Sequence, residues 1–152
     1  ALIGCGKMGS AMLRGWVSSR IISRIYTLDP AGLPEEFNDF SPNPVSAHKD
    51  TASFEQDTTD IDLFVIAVKP QIMDQVCQSL QNIIKKETPV LSIAAGQTIA
   101  VFEKWFGTGH PVIRAMPNTP AAIGKGISVA TANTNVSAAQ KDQAAKQDPG
   151  KP

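Results

Sequence analysis

The sequence predicts an α/β fold, a doubly wound and mostly parallel sheet with helices on both faces. Three observations carry that prediction. Short, continuously apolar runs alternate with stretches whose apolar residues recur at helical spacing. The first apolar run, Ala1-Leu2-Ile3, passes directly into the glycine turn Gly4-Cys5-Gly6-Lys7-Met8-Gly9. Residues of unusual chemistry fall just after the predicted strand ends, where a parallel sheet gathers its loops on one edge.

The first strand covers residues 1–3. A helix follows over 8–17, because Met8, Met12 and Trp16 stand four apart on one face. The second strand is expected at 25–28. Residues 30–44 are rich in proline and acidic residues, with a short helix around 34–40, and a third strand is placed at 45–47. The fourth strand, 63–68, is the clearest, being wholly apolar before Lys69-Pro70 breaks it. A helix over 72–84 carries the stripe Met73, Val76, Cys77, Leu80 and Ile84. The fifth strand is 90–94. Thr98 is expected to cap a helix that runs to Phe106 and stops at Gly107. Strands at 112–116 and 127–130 follow, and a last helix begins at Ser137. The layout reads as one Rossmann-like dinucleotide-binding domain over 1–141, with 142–152 as a frayed or cut tail poor in apolar residues.

Composition narrows the function. The 152 residues suit one domain, and 14 basic against 14 acidic residues leave no basic surface to favour nucleic acid or an anionic membrane. No apolar run approaches the roughly 18 residues that span a bilayer. Two cysteines make no disulfide framework. Cys5 reads as a packed small residue and Cys77 as core, which fits a reducing, cytoplasmic setting. His48 and His110 lack a second ligand at metal spacing and read as ordinary loop or surface residues, so no metal site is expected. The chain opens inside a strand, so a few leading residues are expected before Ala1, and a removed targeting segment is compatible with that.

The chemistry converges on the strand ends. In the glycine turn, Gly4 permits the tight bend, Gly6 lets the main chain approach a pyrophosphate, and Gly9 lets the helix pack close to its strand. The helix N-terminus adds unpaired N–H groups and partial positive charge. Asp29, twenty positions after Gly9, can accept from the adenosine ribose hydroxyls or serve only as a turn with Pro30. As a ribose ligand it would repel a 2′-phosphate, and no arginine follows it closely, which favours NADH. Ala67-Val68-Lys69-Pro70 ends a buried strand with a charge and a chain break; Lys69 can meet a phosphate or ribose, or simply extend into water. Ile93, Ala94, Ala95 and Gly96 are small or apolar where a flat ligand must approach. In Arg114-Ala115-Met116-Pro117-Asn118-Thr119-Pro120 two prolines bracket an amide and a hydroxyl. Asn118 can orient a carboxamide or carboxylate, or cap its own loop. No nucleophile–base pair, and hence no catalytic residue, is assigned. That pattern suits hydride transfer, where the cofactor carries the chemistry and the protein positions it.

Four tracts, Gly4–Gly9, Ala67-Val68-Lys69-Pro70-Gln71, Ser92-Ile93-Ala94-Ala95-Gly96 and Arg114–Pro120, resemble in order and spacing the cofactor domain of the pyrroline-5-carboxylate reductases, over residues 1–141. The resemblance implies that NADPH or NADH delivers hydride to the C=N carbon of 1-pyrroline-5-carboxylate, giving L-proline. It implies that Ile3, Gly4, Cys5, Gly6, Lys7 and Met8 line the pyrophosphate and Asp29 the adenosine ribose. Ala67, Val68, Lys69 and Pro70, with Ile93, Ala94 and Ala95, run along the cofactor. Met116 and Asn118 lie near the nicotinamide, and Asn118 and Thr119 near the substrate. The family often has a small polar residue where Asp29 stands and commonly accepts NADPH, so the two leanings oppose each other. The family also continues into a helical domain that supplies substrate contacts and the homo-oligomer interface. On that reading this chain alone binds cofactor and reduces the imine poorly. Two alternatives stand beside it: a non-catalytic NAD(P)-binding module, and a reductase of the same superfamily acting on a hydroxy acid.

Overall fold

The computed structural model describes residues 1–19, 22–38, 44–58, 60–117 and 128–146. In chain order the elements are β1 (Leu2–Ile3), α1 (Lys7–Ser19), β2 (Ile25–Leu28), β3 (Val45–His48), α2 (Thr51–Asp57), β4 (Phe64–Ile66), α3 (Met73–Leu80), β5 (Val90–Ser92), α4 (Ile99–Phe106), β6 (Val112–Pro117), β7 (Ser128–Ala132) and α5 (Ala138–Lys146). The sheet order is β3-β2-β1-β4-β5-β6-β7. All neighbours pair in parallel except β6 and β7, which are antiparallel. This is the doubly wound, Rossmann-like arrangement expected from the sequence.

Successive residues of each strand feed opposite faces, the two-residue period of a pleated strand. Leu2, Val65, Leu91 and Ile113 enter one core with Met12, Leu13, Trp16 and Val17 of α1 and Ala144 of α5. Ile3, Ile66, Val90 and Val112 enter the other with Phe54 of α2, Met73, Cys77 and Leu80 of α3 and Phe102 of α4. Because both faces are covered, the strands read as unbroken apolar runs rather than as alternating ones.

Several expectations are corrected. The strand expected over 90–94 ends at Ser92, whose Oγ accepts from the Ala94 amide and turns the chain outward. The helix expected over 72–84 is a 3₁₀ turn, Pro70–Ile72, followed by α3, which ends at Leu80. Ile84 still reaches the core from a turn. The short helix expected over 34–40 is a 3₁₀ turn, Glu35–Phe37, that inserts Phe37 into the core. Thr98 stands at the α4 N-cap but makes no capping bond, whereas Gly107, at φ +96°, does stop the helix. Helix α2 was absent from the sequence reading. Its N-cap Asp50 accepts from the Ser53 amide at 2.8 Å. Helix α5 runs through residue 141 to Lys146, anchored by buried Ala144, so the expected tail over 142–152 starts inside a helix. His48 and His110 are buried rather than superficial. The ring of His48 meets Phe54 edge-on at 5.5 Å, and that of His110 lies 5.3 Å from Phe106.

Candidate cofactor site

Strands β1, β2, β4, β5 and β6 are parallel, so their C-terminal ends share one edge of the sheet. Strand β1 lies between β2 and β4. From it the connections wind to opposite sides, leaving a crevice where the loops after β1 and β4 part. The glycine turn lies in that crevice.

The three glycines do different work. Gly4 has φ +95°, and a Cβ there would meet Val68 Cγ1 at 2.9 Å and the Ala67 main chain at 3.1 Å. A Cβ on Gly9 would overlap the Gly4 carbonyl oxygen. Both glycines are therefore required by the protein's own packing. A Cβ on Gly6 would meet no atom of the described residues within 4 Å. The room above Gly6 is the opening a pyrophosphate needs to reach the main chain, so the residues present fit a dinucleotide. The turn is held by Gly4 N–H donating to Leu28 O at 2.9 Å, Ser10 N–H to Gly6 O at 2.8 Å and Ser10 Oγ to Cys5 O at 2.6 Å. Helix α1 has no acidic residue in its first turn to compete with an anion. Lys7 is exposed there and Met8 half-buried.

Asp29 closes the turn from the β2 side. Its Oδ2 accepts from the Cys5 amide at 2.6 Å and its Oδ1 from the Ala31 amide at 2.8 Å. Burial, and then the Asp29 charge, push the Cys5 thiol up to about 11, so it is a packing group and not a nucleophile. Cys77, in the core, is pushed up to about 12, again first by burial.

The loop after β4 lies beside the glycine turn. The Ala67 amide donates to Ile3 O at 2.8 Å, and Ala67 and Val68 are half-buried. Lys69 and Pro70 are exposed at the rim. After β5, Ile93 is half-buried, Ala94 buried and Ala95 exposed. Arg114 of β6 reaches back to donate to Ala94 O at 3.4 Å, while its buried Nε has no hydrogen-bond partner among the described residues. Met116 is 55% exposed at the same edge. The structure thus gathers Ile3, Gly4, Cys5, Gly6, Lys7, Met8, Asp29, Ala67, Val68, Lys69, Pro70, Ile93, Ala94, Ala95 and Met116 at one rim. Asn118 and Thr119 lie outside the described residues. The sequence reading did not anticipate the two-amide commitment of Asp29, nor Lys49, whose side chain lies over Gly32.

Among the described residues no group of three or more His, Cys, Asp or Glu side chains could hold a metal ion, and no helix is long and apolar enough to cross a membrane.

Residues 1–96 match the family described as NADP oxidoreductase coenzyme F420-dependent. The chain is 37% identical over 147 residues to the pyrroline-5-carboxylate reductase of Pseudomonas aeruginosa, covering 95% of this chain and 52% of that protein. It is 33% identical over 138 residues to the Escherichia coli enzyme of the same name, covering 88% and 49%. Among solved structures, a pyrroline-5-carboxylate reductase from Coxiella burnetii superposes with a TM-score of 0.83 at 27% identity, over 98% of this chain and 54% of that one. The chain spans about half the length of these relatives.

Proposed function

Because the chain belongs to the NADP oxidoreductase coenzyme F420-dependent family, we propose that it is the cofactor-binding part of a pyrroline-5-carboxylate reductase. The observation that carries this is the glycine turn. Two of its glycines are demanded by protein packing, and the third opens empty space at the edge where the four family-like tracts meet. The bound cofactor supplies a hydride. In the proposed reaction that hydride goes to the C=N carbon of 1-pyrroline-5-carboxylate, the ring nitrogen takes a proton, and L-proline and the oxidised cofactor result.

The chain's own residues position and shield. Ile3 to Met8 line the pyrophosphate, which the main-chain amides at the start of α1 hold. Ala67 to Pro70 and Ile93 to Ala95 form small-residue walls along the dinucleotide. Met116 stands by the nicotinamide in this proposal; Asn118 and Thr119, which the resemblance assigns to the nicotinamide and the imine, lie outside the described residues. The proposed cofactor is NADPH, following the family description; Asp29, which alone would argue for NADH, already has both oxygens on main-chain amides. Cytoplasmic location and self-association through the remaining part of the enzyme belong to the same proposal.

Calorimetric titration with NADPH and NADH, with and without L-proline, tests it. Micromolar binding of at least one cofactor, strengthened by proline once the full-length enzyme is used, is the expected result. Failure of both cofactors to bind would sink the proposal.

A further inference from the structure

We propose that Lys49, seated over Gly32, reads the 2′ position of the cofactor's adenosine ribose and selects the 2′-phosphorylated dinucleotide, while Asp29 is a positioning residue for the glycine turn. The inference rests on the cofactor reading above and adds the residue that chooses between the two cofactors.

Asp29 stands where a ribose-binding carboxylate would, but its geometry is that of a strut. One oxygen holds the Cys5 amide of the glycine turn and the other holds the Ala31 amide of the turn after β2. The two turns are thereby fixed to each other. Its main chain is committed as well, the amide donating to His48 O at 3.0 Å and the carbonyl accepting from the Gly32 amide at 2.8 Å.

The turn so fixed ends at Gly32, with φ +82°. A Cβ at Gly32 would meet Lys49 Cε at 2.9 Å and Nζ at 3.7 Å, so the lysine stem occupies the place of the missing side chain. Gly32 is accordingly buried, while its neighbour Ala31 is exposed. Register puts Lys49 there. Strands β2 and β3 are parallel, with Leu28 opposite His48, so the residues that follow, Asp29 and Lys49, leave the sheet side by side.

The charges near the adenosine end are unequal in availability. Asp29 is committed to two amides. Asp50 caps α2 through Ser53, and those bonds hold its carboxyl below the ordinary range. Lys49 is exposed and takes part in none of the ion pairs of the described residues. An ammonium held by its stem beside the β2 turn is the uncommitted charge that a phosphomonoester on the ribose would meet.

The test is a titration of the wild-type chain, Lys49→Ala and Asp29→Asn with NADPH and NADH, at two salt concentrations. The wild type should prefer NADPH. Lys49→Ala should weaken NADPH binding by about tenfold or more and reduce its salt dependence, leaving NADH within about twofold. Asp29→Asn should weaken both cofactors by the same factor. A Lys49→Ala variant that leaves the NADPH/NADH ratio unchanged, or an Asp29→Asn variant that loses NADH selectively, would overturn the inference. So would a wild type that prefers NADH, although the cofactor reading would survive. A wild type that binds neither would instead overturn the cofactor reading itself. Lys49 is exposed, so an unchanged melting temperature for Lys49→Ala is expected and checks that the comparison is between folded proteins.

Discussion

The two edges of the sheet are finished in opposite ways. At the edge where the parallel strands end, glycines clear space and the main chain stays accessible above Gly6. At the other edge side chains close the main chain off. Asn133 accepts from the Val112 amide at 3.2 Å and donates to His110 O at 2.8 Å and Glu103 Oε1 at 2.9 Å. Arg24 donates to the Tyr26 hydroxyl at 3.1 Å. A cavity of about 380 Å³ also opens at this second edge, beside Arg24, Asp60 and Asp62. A cavity at the closed edge means that concavity alone does not identify the functional edge. What distinguishes the functional edge is main chain left open by glycine and gathered at a point where the sheet changes direction.

The largest effect that can break the comparison is at Gly9. Gly9→Ala forces a methyl into the Gly4 carbonyl, and a loss of about 3 kcal/mol is expected by denaturant titration. A melt like that of the wild type would mean the turn is looser than described. Asn133→Ala removes three bonds at the closed edge and should cost about 2 kcal/mol while leaving cofactor affinity unchanged, as calorimetry would show. Gly6→Ala is the converse. With no atom of the described residues to meet, it should lose less than about 1 kcal/mol of stability, yet weaken cofactor binding by about tenfold.

A fourth prediction concerns pH. Burial lowers the pKa of His110 below its ordinary 6.5, against the opposing pull of the Thr88 main chain and Glu87. The folded state thus keeps the imidazole neutral where the unfolded chain protonates it. Stability attached to His110 is therefore present above about 6.5 and declines as pH falls below it. His110→Leu should flatten the fall in melting temperature over that range. The smallest effect is expected at the exposed pair of Arg14 and Glu36, 2.6 Å apart with both side chains about half exposed. Arg14→Ala should cost under about 0.5 kcal/mol and leave both edges as they are.

The places of the strands and the glycine turn were legible because local pattern determines them, although β4 and β5 each end two residues earlier than expected, at Ile66 and Ser92. Continuous apolar runs place β1, β4, β5 and β6, and a turn built of glycine is visible as such. Helix α2 was legible in principle, since Asp50 stands three residues before Ser53 in the manner of a capping residue, but the segment has little apolar periodicity to announce it. The burial of His48 and His110 was not legible. An imidazole carries no local sign of whether its neighbours in space are Phe54 and Phe106 or water. The strut at Asp29 and the lysine over Gly32 depend on parallel register between strands that are distant in sequence. Residue type and spacing marked Asp29 as a site residue, but only the paired strands reveal which atoms occupy its oxygens.

Strand β1 has consequences for how the molecule is made. Leu2 pairs with Thr27 on one side and with Val65 on the other, so the centre of the sheet joins parts of the chain more than sixty residues apart. Strand β1 leaves the ribosome before β4 and completes its pairing late. Until Val65 emerges, one flank of that segment has no mate, and a nascent chain paused before that point exposes a greasy ribbon for chaperones to guard.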